Sequence, residues 1–521
     1  MKLKSAAWVL FLVLIVLNLG LLWFDEYVPT QDGPCHLENA LHFRDLCLPG
    51  DTGVERYYRF NPGTGSNLLY FVTVGAFAAV LPPYAAERLF LSLYVLGFAA
   101  ATYAFARSAG ARTPIPAIAA LPYALAFPFH MGFFNYCAGL VITFAAWAYF
   151  WRRRAGLRGR DLVILNAAAI LAYLTHVLAA ALLVAGIFAL NAWLAGGGIS
   201  RGRKTWRKRA AVCAALLPGC ILPVYFVLTS PPLTLGRLPW RDLALLFVTG
   251  SSFRFFSAQQ LYLGIASLVV VLGAVVLRVL SRRAEGRRWL APRNGILALA
   301  LGTLALYFLA PDAGRYFAVL SARLLIIPWI LLLVWAGDDF GRAGRWVLLV
   351  AASAFALTFW VDTLCHHRKF NRELRDFCSG AEYVDEGANI VCMDFSGWQY
   401  RIAVFSSAAS YYAVDRRVMN LANYEGDQRT FPVNFNYGGF RPLPSDLRPL
   451  EKCRVKKFAP AVDYIITWEL PGGKPITKKL WRHYDGVHCR GKLWLFKAKE
   501  EFKNPPPAPP ARRGQGPKVK P

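Results

Sequence analysis

The sequence predicts an all-α polytopic membrane helix bundle of about eleven transmembrane helices, followed by a C-terminal extracytoplasmic α/β domain. Of the 521 residues, 56% are hydrophobic and 17% are charged, and the mean hydropathy is +0.35. A water-soluble globular protein could hardly carry this excess of apolar residues. The apolar residues also fall in uninterrupted blocks, each close to the ~20 residues with which a helix crosses ~30 Å of hydrocarbon. We therefore expect lipid-facing helices, which satisfy their own backbone groups.

Basic residues mark the side of the membrane on which each short loop lies. The strongest basic clusters cover residues 107–112, 152–160, 201–209, 278–293 and 342–345. Lys and Arg favour the cytoplasmic side, so we place these loops inside, together with the amino terminus that carries Lys2 and Lys4. The net charge of +28 then reflects topology. Because it is dispersed over loops and forms no single patch, it argues against a nucleic-acid partner.

The charge pattern predicts eleven spans and a multi-pass protein of the cytoplasmic (inner) membrane. The spans cover residues 8–24, 89–106, 115–129, 134–151, 162–175, 177–194, 210–228, 261–277, 296–310, 324–335 and 346–361. A long first outer loop, residues 25–88, contains the apolar stretch 68–81. If this stretch crossed, every later basic loop would move outside, so we expect a helix against the outer membrane face, with Tyr70 and Phe71 as interface anchors.

Composition divides the chain into three parts. Residues 1–361 form the predicted membrane domain, and residues 362–503 are polar and mixed, with β-rich pieces at 389–393, 462–468 and 492–497 that predict a soluble α/β domain. The tail 504–521 is rich in Pro and basic residues, which predicts disorder. Seven of the ten cysteines fall in segments placed outside, where disulfides form, but no pairing or zinc motif can be read.

The start of the first outer loop carries the residues best suited to chemistry. Pro34 fits the first turn of a helix that would run through Leu46 and present His36, Asn39 and Phe43 on one side. Asp32 would lie at the amino-terminal end of that helix. An Asp before a Pro is often only a helix cap, and His36 could be an ordinary interface histidine, so these readings stand beside the functional one.

Further polar residues converge on the same membrane level by this topology. Arg323 is the strongest indication of a bound anion among them, because it begins an apolar stretch. Its charge must either snorkel to the interface or pair with an anion at that depth. The full set of candidate substrate-binding residues is His36, His130, Asn135, His176, Asp312, Arg315 and Arg323.

These motifs resemble the GT-C superfamily, integral membrane glycosyltransferases that take sugars from polyprenyl-phosphate carriers. The similar features are the run Asp32-Gly33-Pro34-Cys35-His36 in a long first outer loop, the helix at 67–81, Glu87-Arg88-Leu89 at the start of the second span, and a basic loop with a proline-containing span at 312–328. The sequence looks closer to poorly characterised bacterial members than to the protein mannosyltransferases or the lipid A aminoarabinose transferases. It has Asp32 and His36 where familiar branches have adjacent acidic pairs or an Asp-x-Asp arrangement, so the need for a divalent cation and the acceptor class stay open.

The resemblance implies a catalytic role for Asp32. As general base it would deprotonate an acceptor hydroxyl or amine, which attacks the anomeric carbon and displaces polyprenyl phosphate. Arg323, with Arg315 as second choice, would stabilise the departing phosphate. The implied partners are membrane lipid, a polyprenyl-phosphate sugar donor and a glycan, lipid or protein acceptor. No cofactor is certain.

Two other classes of function compete with this one. A transporter or flippase would also gather polar residues at one end of a bundle, although few ionisable residues lie in mid-span and no inverted repeat is evident. A non-catalytic scaffold would use the membrane part only to anchor the outer domain.

Overall fold

Helices make up most of the described residues and overlap each of the predicted spans. The computed structural model describes residues 2–48, 50, 52–61, 63, 65–196, 203–229, 236–284, 291–314, 319–397, 400–438, 450 and 453–503. The helices are α1 Leu3–Trp23, α2 Gly33–Cys47, α3 Leu69–Phe77, α4 Pro83–Ser108, α5 Ile115–Ala120, α6 Phe127–His130, α7 Phe134–Arg153, α8 Gly159–Thr175, α9 Val177–Gly196, α10 Arg203–Ala215, α11 Ile221–Thr229, α12 Trp240–Val248, α13 Leu261–Ala284, α14 Asn294–Leu309, α15 Leu320–Ala336, α16 Arg342–Cys378, α17 Ser410–Arg416, α18 Val455–Phe458 and α19 Pro475–His483.

Length and hydropathy make six of the described helices candidate membrane spans, which confirms a multi-pass membrane protein. The number is seven if the bent pair Trp206–Ala215 and Leu217–Thr229 is one span, and three shorter apolar helices, Ile115–His130, Asn294–Leu309 and Leu320–Ala336, accompany them. The predicted count of eleven is therefore not confirmed. The tail 504–521 lies outside the described residues.

Helix α3 occupies the apolar stretch of the first loop. Its nine residues extend about 14 Å, too short to cross a bilayer. The prediction that Tyr70 and Phe71 anchor it at the lipid interface is wrong, because both side chains are fully buried. Their rings lie 5.8 and 6.0 Å from the ring of His36, so α3 packs its aromatic residues on α2.

A C-terminal α/β region follows the bundle, as predicted. Its strands are β2 Asn389–Asp394, β3 Met419–Asn420, β4 Val433–Phe435, β5 Tyr464–Trp468, β6 Tyr484–Arg490 and β7 Leu493–Ala498. One five-stranded sheet has the order β3-β2-β5-β7-β6, with β2 parallel to β3 and β5, and β7 antiparallel to β5 and β6. Helix α16 runs without a break through residue 361 to Cys378, and its Phe377 packs on Trp468 of the central strand. A continuous helix thus joins the membrane part to the sheet.

The first loop and the C-terminal region are also joined to each other. A short strand of the first loop, β1 Tyr58–Phe60, pairs antiparallel with β4. The first ten residues of α2, Gly33 to His42, are all buried. Several are polar, so their burial requires partners, and the C-terminal region supplies them. These contacts between the first loop and the C-terminal region position the candidate site.

Candidate active site

Asp32 lies at the amino-terminal end of α2, as the sequence predicts, but it does not cap the helix. Its carboxylate accepts no hydrogen bond from the first turn of α2. Its backbone is held instead, because the N–H of Asp32 donates to the carbonyl of Met131 at 3.1 Å and the N–H of Gln31 donates to that of His130 at 2.9 Å. The side chain is half-buried. The main chain at Asp32 is therefore held in place, while its carboxylate is not used to cap the helix.

Gly132 makes this close approach feasible. Its φ of +88° is a conformation that favours glycine. A Cβ atom at this position would lie 2.7 Å from the backbone nitrogen of Gly33 and 2.9 Å from the Cβ of Asp32. The turn before α7 therefore fits against the amino end of α2 only as glycine.

The surroundings of Asp32 bring its pKa towards neutrality. Burial raises the pKa to about 6, the positive field of His36 opposes the rise, and the negative field of Glu425 adds to it. The side-chain amide of Gln31 donates to the carboxylate at 3.4 Å, and Arg323 also lowers the pKa. The Tyr424 hydroxyl interacts with the same carboxylate. A carboxyl with this pKa exchanges protons readily near pH 6 to 7.

His36 and Asn39 lie on one face of α2, as predicted, and both bind Glu425. The imidazole Nδ1 of His36 contacts Glu425 Oε1, and the amide of Asn39 donates to Glu425 Oε2 at 2.7 Å. Glu425 is fully buried. Burial alone would lower the pKa of His36, but the field and hydrogen bond of Glu425 raise it above its ordinary value. A buried His36–Glu425 pair thus lies one helical turn from Asp32.

Arg323 supplies a positive charge to the site. It lies in the first turns of α15 and is 9% exposed. Its guanidinium stacks on the ring of Phe133, with the Cζ 3.8 Å from the ring centroid. The Nε is buried and has no hydrogen-bond partner among the described residues. The Tyr136 hydroxyl donates to the backbone carbonyl of Arg323 at 2.6 Å, which fixes this part of α15. The arginine is thus rigidly held with unused hydrogen-bonding capacity.

The other predicted substrate-binding residues differ in what their side chains contact. His176 lies T-shaped to the ring of Tyr136, 5.5 Å between centroids, and the positive field of Arg323 reaches it. His130 is fully buried, and its Nε2 lies 3.0 Å from Nε2 of His367. Its backbone carbonyl, and not its ring, holds the Asp32 segment.

Asn135 and Asp312 use their side chains on backbone groups. Asn135 accepts from the N–H of Tyr70 at 2.9 Å and donates to the carbonyl of Asn67 at 3.1 Å. Asp312 accepts from the N–H of Ser321 at 2.8 Å, so it caps the start of α15. Arg315 lies outside the described residues.

Sequence reasoning did not find Glu425 and Tyr424. They belong to a short turn, residues 423–427, in which the side chain of Asn423 accepts from the N–H of Glu425 at 3.1 Å. Nothing in the local run Asn-Tyr-Glu-Gly-Asp marks it as more than a polar turn. Only the burial of Glu425 distinguishes it.

Neither metal ligands nor disulfides are evident in the part of the chain that the structure describes. No group of three or more His, Cys, Asp or Glu side chains there could hold a metal ion, and no disulfide joins any of the ten cysteines, all of which lie in that part.

Comparison with known proteins finds structural relatives only. No protein-family profile and no curated protein sequence matches the chain. Two solved glycosyltransferases of the GT-C class share its fold. ArnT from Cupriavidus metallidurans, determined bound to undecaprenyl phosphate, superposes with a TM-score of 0.55 over 96% of this chain and 98% of its own, at 12% identity.

The chain has a GT-C-like fold. The second relative, the arabinofuranosyltransferase AftD from Mycobacteria, gives a TM-score of 0.50 over 94% of this chain at 14% identity. This chain covers 40% of AftD and so spans less than half its length. The resemblance seen in the sequence is confirmed for the fold, and the GT-C-like fold contains the Asp32 site at the junction of bundle and C-terminal region.

Proposed function

We propose that this chain is a glycosyltransferase that moves a sugar from a polyprenyl-phosphate donor to an acceptor at the outer membrane face. The observation that carries the proposal is Asp32, a half-buried carboxylate with no capping bond and a pKa of about 6. In that state it serves as a general base near neutral pH. The GT-C-like fold and the complex of ArnT with undecaprenyl phosphate support the reaction class and the donor class.

The reaction assigns a role to each charged group. Asp32 takes the proton of an acceptor hydroxyl or amine while that atom forms a bond to the anomeric carbon. The bond from this carbon to the phosphate oxygen breaks, and polyprenyl phosphate leaves with the electron pair. Arg323 would hold the departing phosphate through its unpartnered Nε and its fixed guanidinium plane. A protonated His36 would place a positive charge beside Asp32 and lower the pKa of its carboxyl.

The remaining predicted substrate contacts have unequal support. His176 is favoured, since it adjoins Arg323 through Tyr136. The bonds of Asn135 and Asp312 to backbone groups favour structural roles for them. We retain the predicted cytoplasmic amino terminus and extracytoplasmic C-terminal domain, which bring the site to the face where lipid-linked donors meet secreted acceptors.

The test follows release of polyprenyl phosphate by purified full-length protein in lipid nanodiscs, with a panel of polyprenyl-phosphate sugars and acceptors. We expect Asp32→Asn to abolish turnover while donor binding persists. Asp45→Asn is the matched control, because Asp45 is on the same helix but pairs with Arg44 at 2.7 Å, and it should retain turnover.

The pH profile provides a second readout. Only the ionised carboxylate accepts a proton, so the wild-type rate should fall about tenfold per pH unit below pH 6 and level off above pH 7. Equal turnover in wild type and Asp32→Asn would remove Asp32 from the mechanism. Vesicles that accumulate solute without sugar transfer would favour the transporter.

A further inference from the structure

A dense set of buried polar contacts joins helix α2 of the first loop to the C-terminal region. The amides of Asn39 and Asn423 bind each other, with Asn423 Nδ2 donating to Asn39 Oδ1 at 3.0 Å. The thiol of Cys35 donates to Asn423 Oδ1 at 3.0 Å, and Asn423 Nδ2 also reaches the Tyr58 hydroxyl at 3.4 Å. Asn39 then donates to Glu425 at 2.7 Å. Every one of these groups is buried, so the network requires both parts of the chain.

Glu425 is a buried carboxylate whose cationic partner among the described residues is His36. The ion pair with His36 Nδ1 is the one that the structure records for it. Its other contacts are neutral donors, Asn39 at 2.7 Å and the Tyr424 hydroxyl at 3.4 Å. A fully buried carboxylate is costly unless a charge compensates it. The pair therefore favours a protonated His36.

The environment of His36 favours the same state. Its ring contacts two acceptors, the carboxylate of Glu425 and the backbone carbonyl of Gly132. An imidazolium has two N–H donors to satisfy two acceptors, whereas the neutral ring has one. Four aromatic rings, those of Tyr70, Phe71, Phe134 and Phe431, surround it at centroid distances of 5.8 to 6.0 Å and exclude water. The charge pair consequently acts in a medium of low dielectric constant.

We propose that Glu425 is a positioning residue that holds His36 as an imidazolium beside Asp32, so that the candidate base is completed only by the C-terminal region. The identification of Asp32 as the base rests on the proposed function. The state of His36 does not, and it can be measured by itself. The scaffold alternative treats the C-terminal region as a separate binding module, whereas here it contributes a charge to the site.

The ionisable groups around this cluster come from several elements. Besides Asp32, His36 and Glu425, they are Cys35 on α2, Tyr70 on α3, Glu87 on α4, Arg323 on α15 and Tyr424 beside Glu425. The Tyr70 hydroxyl donates to Glu87 at 2.8 Å, and the field of His36 also reaches Glu87 without a direct contact between them being recorded. Glu425 is the carboxylate in contact with His36 and the principal cause of its raised pKa.

The experiment uses nitrogen-15 histidine-labelled full-length protein in nanodiscs and magic-angle-spinning NMR. The chain has eight histidines, and the His36 signal is the one lost in His36→Asn. We expect His36 to be an imidazolium at pH 8 in wild type and a neutral imidazole in Glu425→Gln. A neutral His36 at pH 8 in wild type would overturn the proposal, and this measurement needs no variant of Glu425 to fold.

Glu38→Gln is the matched control. Glu38 is equally buried on α2, but its carboxylate contacts His42 at 3.4 Å and Asn420 at 3.5 Å and does not contact His36. Glu38→Gln should leave His36 protonated. Loss of the imidazolium in both variants would mean that any damage to the buried network discharges His36, and the specific role of Glu425 would be refuted.

Measurements of turnover test whether the His36–Glu425 pair acts on Asp32. Glu425→Gln removes both charges, and the lowering effect of His36 on the pKa of Asp32 exceeds the raising effect of Glu425. The pKa of Asp32 should therefore rise, with a loss of turnover on the order of fivefold at pH 6 and recovery to within about twofold at pH 8. His36→Asn leaves the carboxylate and should shift the profile further. An unshifted profile would contradict the positioning role, whereas a protonated His36 with no effect of Asp32→Asn would refute only the proposed function.

Discussion

Replacing Gly132 with alanine should displace the candidate base without disrupting the bundle. The new Cβ would lie 2.7 Å from the nitrogen of Gly33, where ordinary contact begins at 3.4 Å, so the two segments must separate by about 0.7 Å. The positive φ of residue 132 adds about 1–2 kcal/mol of strain. With a crowding cost of about 1–3 kcal/mol, we expect a total loss of roughly 2–5 kcal/mol in unfolding free energy.

The effect on activity should be larger than this destabilisation implies. A displacement near 1 Å of a catalytic group costs on the order of a hundredfold in rate, so Gly132→Ala should lose roughly tenfold to a hundredfold in turnover per folded molecule. Thermal unfolding and polyprenyl phosphate release are measured on the same nanodisc preparation. Turnover is normalised to the folded fraction.

Gly387→Ala is the matched control for backbone strain. Gly387 has a φ of +73°, but its Cβ would meet nothing within 4 Å. This variant should lose only about 1–2 kcal/mol and keep its turnover. Equal turnover in the Gly132 and Gly387 variants would refute the argument that the turn before α7 sets the position of Asp32.

Two further substitutions separate binding from structure. Arg323→Lys keeps the charge but loses the guanidinium plane on Phe133, so kcat/KM for the donor should fall about tenfold with unfolding changed by about 1 kcal/mol or less; an unchanged kcat/KM would exclude Arg323 as a phosphate contact. Asn135→Ala leaves the buried N–H of Tyr70 and the carbonyl of Asn67 without their partner. It should cost about 1–3 kcal/mol of stability with turnover per folded molecule retained. Lower turnover at wild-type stability would instead support the predicted substrate contact.

The boundaries of α2 and the residues on one of its faces were predictable, because they depend on residues that are close together in the sequence. Pro34 and the three-residue spacing of His36 and Asn39 predicted a helix with Asp32 at its start, and the structure has that helix at Gly33–Cys47. The strand predictions at 389–393, 462–468 and 492–497 similarly match β2, β5 and β7. Backbone propensity and apolar periodicity act over a few residues, so sequence alone reveals them.

Side-chain environments were less predictable, because they depend on distant segments. Tyr70 and Phe71 had the composition of interface anchors, yet both are buried against α2. Asn135 had the appearance of a free polar group, yet it binds the backbone of α3. In each case the fold places a distant segment of the chain against the side chain, which therefore contacts protein where the sequence predicted lipid or substrate.

The sequence by itself determined a membrane helix bundle with a C-terminal α/β region, and it placed Asp32 at the end of a helix in the first loop. The tertiary structure alone decided what surrounds that carboxylate. Glu425 follows Asn39 by 386 positions, and its pairing with His36 depends on the docking of the C-terminal region on α2. Burial and charge compensation are properties of the assembled chain, and no local pattern encodes them.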